Sequence, residues 1–229
     1  MRTFQEQISV VIPTLNASAC LPASLGAFSG SRLLREIIVS DGGSNDDTFA
    51  IARPAGAVVV SAEHGRGQQL QAGAAAASGK WLLFLHADCV LAPGWEDAVE
   101  AFLATPDASS RAGYFTFALD DPSPAARRLE RIVAWRCRAL GLPYGDQGLL
   151  IARSLYEAVG GYSPLPLMED VDLARRLGRD RLLLLDAAIV SSAHRYRAGG
   201  YIRRPLRNLF CLSLYLAGVP PRQIARLYG

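Results

Sequence analysis

The sequence predicts an α/β fold: a mostly parallel central sheet flanked by helices, ending in a helical C-terminal tail. Three observations carry this. Short runs rich in Val, Ile and Leu alternate with helix-like stretches through the first half of the chain. Each run breaks off into a polar cluster containing glycine, proline or aspartate. The segment from Gly200 onward reads as helix interrupted at Pro220 and Pro221. Apolar runs with little polar alternation fit strands covered on both faces of a parallel sheet. Their regular exchange with helices implies βαβ units with right-handed crossovers.

In order, strands are expected over residues 8–12, 36–40, 57–61 and 81–85, with helices over 19–28, 46–53 and the alanine-rich 67–77. The second half predicts a helix over 93–103 and a strand over 112–119. A basic amphipathic helix follows over 125–140, with Leu129, Ile132, Val133, Cys137 and Leu140 on one face. A strand over 148–152, a helix over 169–176 and a strand over 182–186 complete the set. No internal repeat or linker interrupts the chain, so one domain, 1–229, is expected.

Composition narrows the function classes. With 229 residues, 50% of them hydrophobic and 20% charged, the chain can bury a core of its own and is not of disordered type. A net charge of +3 is too small to point to nucleic acid, and Lys80 is the only lysine. Cys20, Cys89, Cys137 and Cys211 form no CxxC pair and read as packing residues in a reducing compartment. No basic-then-apolar leader precedes the first strand, and the apolar run 209–219 is far short of the ~20 residues needed to span a bilayer. A cytoplasmic protein is the expectation.

The clusters after the strands hold the chemistry, because ligands of open α/β sheets gather at the carboxyl ends of strands. After the first strand come Pro13, Thr14, Leu15 and Asn16, where Asn16 suits a cap on the next helix. After the second, Asp41 precedes Gly42 and Gly43, which let the backbone turn sharply; Ser44 to Asp47 are ordinary capping residues. Gly65, Arg66 and Gly67 open the alanine-rich helix, where a guanidinium and a helix N-terminus both favour a diphosphate. Asp88, just past the fourth strand, suits a hard cation. Glu169, Asp170 and Asp172 open a helix; there the dipole alone explains acids, while a general base needs one of them aimed into a cleft. Neither GxGxxG after the first strand nor GxxxxGK[ST] occurs, which disfavours dinucleotide dehydrogenases and P-loop enzymes.

Taken in order, Val10–Asn16, Val39–Thr48, Gly65–Gly67 with Ala77–Gly79, Phe84–Asp88 and Glu169–Asp170 resemble the family 2 glycosyltransferases and their GT-A nucleotide-diphospho-sugar transferase fold. The forms His86-Ala87-Asp88, Gly145-Asp146-Gln147-Gly148 and Leu167-Met168-Glu169-Asp170 look most like the bacterial branch called radical-SAM/selenodomain-associated transferases. The resemblance implies an inverting, non-processive transfer of one sugar from a nucleotide-diphosphate donor, UDP- or GDP-linked, to an acceptor hydroxyl. It places Pro13, Thr14, Asn16, Asp41, Arg66 and Ala87 around the nucleotide, and Mg²⁺ or Mn²⁺ on Asp88. It makes Asp170 the base and sets Asp146, Gln147 and Glu169 on the acceptor side. Residues 8–90 then form the nucleotide-binding half, 91–198 the acceptor half and 199–229 the tail.

Two departures from the family pattern stand out. His86 occupies the place of the usual first aspartate, and His194, after the last strand, is a candidate second metal ligand. The Gln-x-x-Arg-Trp motif of processive enzymes is missing. A nucleotidyltransferase of the same general fold would carry a glycine-rich loop where Pro13 to Asn16 stand; a non-catalytic nucleotide-sugar binder would not need Asp41, Asp88 and Asp170 together. The basic and then apolar tail leaves a peripheral membrane contact, a homodimer and packing on the domain open.

Overall fold

The computed structural model describes residues 7–228. Its first half is β1 (Ile8–Thr14), α1 (Leu21–Gly26), β2 (Leu34–Asp41), α2 (Thr48–Ala52), β3 (Val58–Ser61), α3 (Arg66–Ala76) and β4 (Trp81–Phe84). Then follow β5 (Cys89–Leu91), α4 (Trp95–Leu103), β6 (Ala112–Leu119), α5 (Pro124–Leu140), β7 (Leu149–Ala152), α6 (Arg153–Ala158), α7 (Glu169–Leu177) and β8 (Leu182–Ser191). The tail is α8 (His194–Gly199), α9 (Arg203–Leu216) and α10 (Pro221–Tyr228).

All eight strands join one sheet in the order β3-β2-β1-β4-β7-β6-β8-β5. Four of the seven strand pairings are parallel, and the three involving β7 or β5 run antiparallel. The sheet is therefore mixed: the helix-linked first half supplies the parallel block, and β7 returns against β4. Residues Ile8, Val10, Val11 and Ile12 of β1, with Leu82 and Leu83 of β4, are fully buried, as central strands covered on both faces should be. The strand β3 departs from that expectation. It closes the sheet edge, and Val58 is 49% exposed.

Two further expectations change. On α5 the buried stripe is Ala126, Leu129, Val133 and Cys137, seated on Tyr114, Phe117 and Leu119. Ile132 and Leu140 lie outside it, exposed, because a stripe stepping by three and four residues is narrower than the face the apolar residues suggest. The last strand runs to Ser191, and a register shift opposite Tyr114 and Thr116 absorbs the polar break at Asp186. Short β5, α6 and α8 had no periodic signal to announce them.

The close approach of α3 to the sheet positions the site. A Cβ on Gly73 would stand 2.4 Å from Val11 Cγ1, so only glycine lets the helix lie this near β1. The tail packs on the domain: Cys211, Leu212 and Ile224 are buried with Leu167, Met168, Val171 and Ala174, around the start of α7. Leu206, Leu209 and Phe210 on α9 stay exposed. Among the described residues no helix is long and apolar enough to cross a membrane.

Truncating Leu83, buried in the central strand, to alanine is expected to cost about 2–5 kcal/mol in urea unfolding. The same truncation at half-exposed Val58 should cost no more than about 1 kcal/mol.

Candidate functional site

The parallel register of β1 with β2 and β4 brings their polar C-terminal ends to one sheet edge, where Thr14 lies opposite Asp41. A single cleft opens along that edge. One half is lined by Pro13, Thr14, Leu15, Asn16, His64, Gly65 and Ala87; the other by Tyr144, Gly145, Asp146, Asp170, Ser191 and Ser192. Arg66, His86, Asp88 and Arg195 line both halves. The structure thus gathers Pro13, Thr14, Asn16, Arg66, Ala87, Asp88, Asp146 and Asp170 of the sequence-predicted set.

Four others lie elsewhere. Asp41 is 1% exposed and is not among the lining residues. Its carboxylate accepts from Thr14 Oγ1 (2.8 Å), Ser44 Oγ (2.5 Å), Ser44 N (2.7 Å) and Gly43 N (2.9 Å). Burial works to raise its pKa, but these bonds outweigh it and hold the carboxyl below its usual range. Asp41 ties the tips of β1 and β2 together beneath the cleft. Gln147 is buried: its Oε1 accepts from Arg136 (2.9 Å) and its Nε2 donates to Phe115 O (3.3 Å), joining α5 to the sheet. Glu169, 0% exposed, pairs with Arg66 behind the cleft. His194 is exposed at the head of α8; its neighbour Arg195 is the one facing Asp88, at 3.9 Å. Asn16, at φ +51°, accepts from Asn45 N (2.9 Å) instead of capping α1.

Asp170 is oriented by main chain. Gly145 N donates to its Oδ2 at 2.9 Å and Val171 N to its Oδ1 at 2.7 Å. Met168, buried and left-handed at φ +66°, turns the chain into α7 immediately before it. Non-glycine residues are held in that region only when the surroundings impose it. Asp146 contributes a further acid, whose buried Oδ1 has no partner among the described residues. Burial, opposed by Arg136 and reinforced by Asp170 and Asp88, pushes its carboxyl up to about 6.

The one cation-ligating cluster among the described residues lies at the end of β4. A ring nitrogen of His86, a carboxylate oxygen of Asp88 and Cys89 Sγ fall within 4.8 Å of one another. His86 Nε2 is buried and unpartnered. Burial, then Arg66, lowers its imidazole to about 4, so the ring is neutral and keeps a lone pair to offer. Burial pushes the Cys89 thiol well up, which keeps it protonated. A neutral imidazole beside a carboxylate is a donor set that fits a divalent cation.

Residues to which the sequence reading assigns no role in the site also line the cleft: Arg195, Tyr196, Arg204 and Asn208, brought in by the tail. Of the histidine and arginine in Ala193-His194-Arg195 after the last strand, only the arginine lines the cleft.

The sequence profile of glycosyl transferase family 2 matches residues 9–142. The glucosyl-3-phosphoglycerate synthase of Mycobacterium tuberculosis is 37% identical over 94 residues, which cover 36% of this chain and 29% of the synthase. A mycobacterial PGL/p-HBAD biosynthesis glycosyltransferase (M. tuberculosis H37Rv) is 35% identical over 88 residues, covering 35% of this chain and 34% of that one. The aligned stretches thus span about a third of the length of these curated relatives. The crystal structure of the M. tuberculosis synthase with Mn²⁺, UDP-glucose and glycerol 3-phosphate superposes with a TM-score of 0.61 at 25% identity, covering 94% of this chain and 81% of the synthase. S. aureus TarS shares the fold at a TM-score of 0.63 and 15% identity, over 91% of this chain and 65% of that one.

Two outcomes are expected. A Cβ on Gly67 would meet the Ser163 carbonyl at 2.4 Å and Leu165 backbone atoms at 2.7 Å. Gly67→Ala should therefore displace Arg66 and, on the diphosphate role that the sequence reading gives this arginine, weaken UDP binding, measured calorimetrically, by about tenfold or more. For Asp146, the folded carboxyl takes up its proton near pH 6 and the unfolded one near 4, so its contribution to stability falls as pH rises from about 4 to 6. In metal-free protein, Asp146→Asn should flatten that slope and be more stable at pH 7, by at most about 3 kcal/mol, in denaturant titrations at each pH.

Proposed function

The chain belongs to glycosyl transferase family 2, and from that membership we propose that it transfers a single sugar from a UDP- or GDP-linked donor to an acceptor hydroxyl, with inversion. The observation that carries this reading is that Arg66, Asp88 and Asp170 face one cleft.

In this reading the donor nucleotide lies against Pro13, Thr14 and Asn16, on strand tips that Asp41 keeps together. The diphosphate meets Arg66 at the N-terminus of α3, where a guanidinium and the positive end of the helix dipole favour an anion. Asp88 would hold Mg²⁺ or Mn²⁺, while His194 lies outside the residues that line the cleft. Such a cation, when bound, offsets the charge growing on the leaving diphosphate. Asp170 takes the proton of the acceptor hydroxyl as it attacks the anomeric carbon. Its hydrogen bonds from Gly145 N and Val171 N hold the carboxylate in place without engaging an acid. A single displacement leaves no sugar on the enzyme, and nothing resembling the processive motif holds a growing product. Asp146, with Tyr196, Arg204 and Asn208, borders the acceptor; Gln147 and Glu169 support it from behind.

The assignment of residues 8–90 to donor binding and 91–198 to the acceptor follows from this division of the cleft. The sequences His86-Ala87-Asp88, Gly145–Gly148 and Leu167–Asp170 support the radical-SAM/selenodomain-associated branch within the family.

Sugar-nucleotide cleavage with Mn²⁺, followed as UDP or GDP release with a panel of donors, tests the reading. Asp170→Asn is expected to lower turnover by about 10²–10⁴-fold while nucleotide binding in a thermal-shift assay stays within twofold. Unchanged turnover would remove Asp170 from the base role. If no nucleotide diphosphate stabilises the protein, the transferase reading fails.

A further inference from the structure

We propose that His86 is a direct ligand of the cation held at Asp88, and that this imidazole makes the site select a transition-metal ion such as Mn²⁺ over Mg²⁺. The inference rests on the metal-dependent reading above and adds to it the identity of a ligand and the class of ion.

The backbone sets up the pair. Leu85 N donates to Val11 O (3.0 Å), the last ladder bond of β4, and Cys89 N donates to His86 O (3.1 Å). That second bond closes a tight turn, which brings the side chains at 86 and 88 back toward each other. The result is a ring nitrogen and a carboxylate oxygen less than 5 Å apart, a separation one cation can bridge at ordinary metal–ligand lengths. The third member of the cluster is unavailable, since Cys89 Sγ is engaged with Ser191 Oγ at 3.1 Å.

The ring is also lodged where an unsatisfied nitrogen is costly. Its Nε2 is buried without a partner, a state that leaves the desolvation of the nitrogen uncompensated. Gly145 makes room for the ring: a Cβ there would lie 2.3 Å from Nε2. A cation bound to one ring nitrogen polarises the other N–H, and Asp170, anchored on Gly145, lies on that side of the cleft.

Charge explains why an imidazole serves here. Asp88, Asp146 and Asp170 already line this part of the cleft. A fourth carboxylate at position 86 would add a desolvated charge, whereas a neutral imidazole supplies a donor without one. The exchange has a chemical consequence. Mg²⁺ demands hard oxygen ligands and holds its waters, while nitrogen donors favour the first-row transition ions.

Continuous-wave EPR of Mn²⁺ with UDP, and with GDP in a parallel arm, gives the affinity; pulsed EPR gives ¹⁴N couplings to the bound ion. The only other histidines are His64 and His194, so the His64→Ala/His194→Ala double variant isolates His86 without touching it. An imidazole ¹⁴N coupling is expected to persist in the double variant and to vanish in His86→Asp. Displacing half of the Mn²⁺ should require at least about tenfold more Mg²⁺ in the wild type than in His86→Asp. Loss of the coupling in the double variant overturns the proposal, as does its survival in a His86→Asp protein that still unfolds cooperatively. An unchanged Mg²⁺ requirement overturns the selectivity. If wild-type protein binds no Mn²⁺ with either nucleotide, the metal-dependent reading itself falls, a result distinct from all of these.

Discussion

Glu169 is completely buried, and the group that answers its charge, Arg66, comes from the opposite half of the chain. Removing Arg66 would strand the Glu169 charge away from water, which costs on the order of 3–5 kcal/mol, whereas Arg66 itself keeps a third of its side chain exposed. Burial outweighs the attraction of Arg66 and holds the Glu169 carboxyl above its ordinary range, so the pair is a constraint more than a source of stability. It fixes the start of α3 against the start of α7. Gly67 N, donating to Leu165 O at 3.3 Å, repeats the link one residue further on. The helix start proposed to meet the diphosphate and the helix carrying Asp170 therefore share one anchor.

Around that anchor the cleft divides its work between side chains and main chain. The arginines Arg66, Arg195 and Arg204 and the acids Asp88, Asp146 and Asp170 line it together, a mixed field suited to a ligand that carries both phosphate oxygens and a bound cation. The tail belongs to this arrangement. Tyr215 donates to Asp172 Oδ1 (3.3 Å), and Asp172 in turn accepts from Ser163 (2.7 Å) and Arg176 (2.7 Å). Those bonds, with the apolar contacts of Cys211, Leu212 and Ile224, brace the helix on which the proposed base sits.

Much of this was legible from residue order alone. Strand ends could be read because long apolar runs stop abruptly at Pro13, Asp41 and His86, and Asp88 and Asp170 stood out as acids at such stops or at a helix start. Side-chain direction was not legible. Asp41 and Glu169 have the right chemistry at the right sheet edge, yet each turns inward to satisfy a neighbour: the Ser44 and Gly43 amides in one case, Arg66 in the other. Gln147 is likewise spent on Arg136 and Phe115. The place of Arg204 and Asn208 in the cleft was illegible for a different reason. They reach the cleft only because the tail folds back over α7, a long-range event with no local pattern. The three-residue β5 and the six-residue α6 and α8 are shorter than any periodicity can register.

Gly145 bears on how this cleft can be redesigned. Its amide steadies Asp170, and its bare α-carbon makes way for His86. A single added methyl would disturb both at once, and no remote repair is open to a position whose role is to lack atoms. Any redesign of this cleft therefore has very little freedom along the loop floor that Gly145 forms.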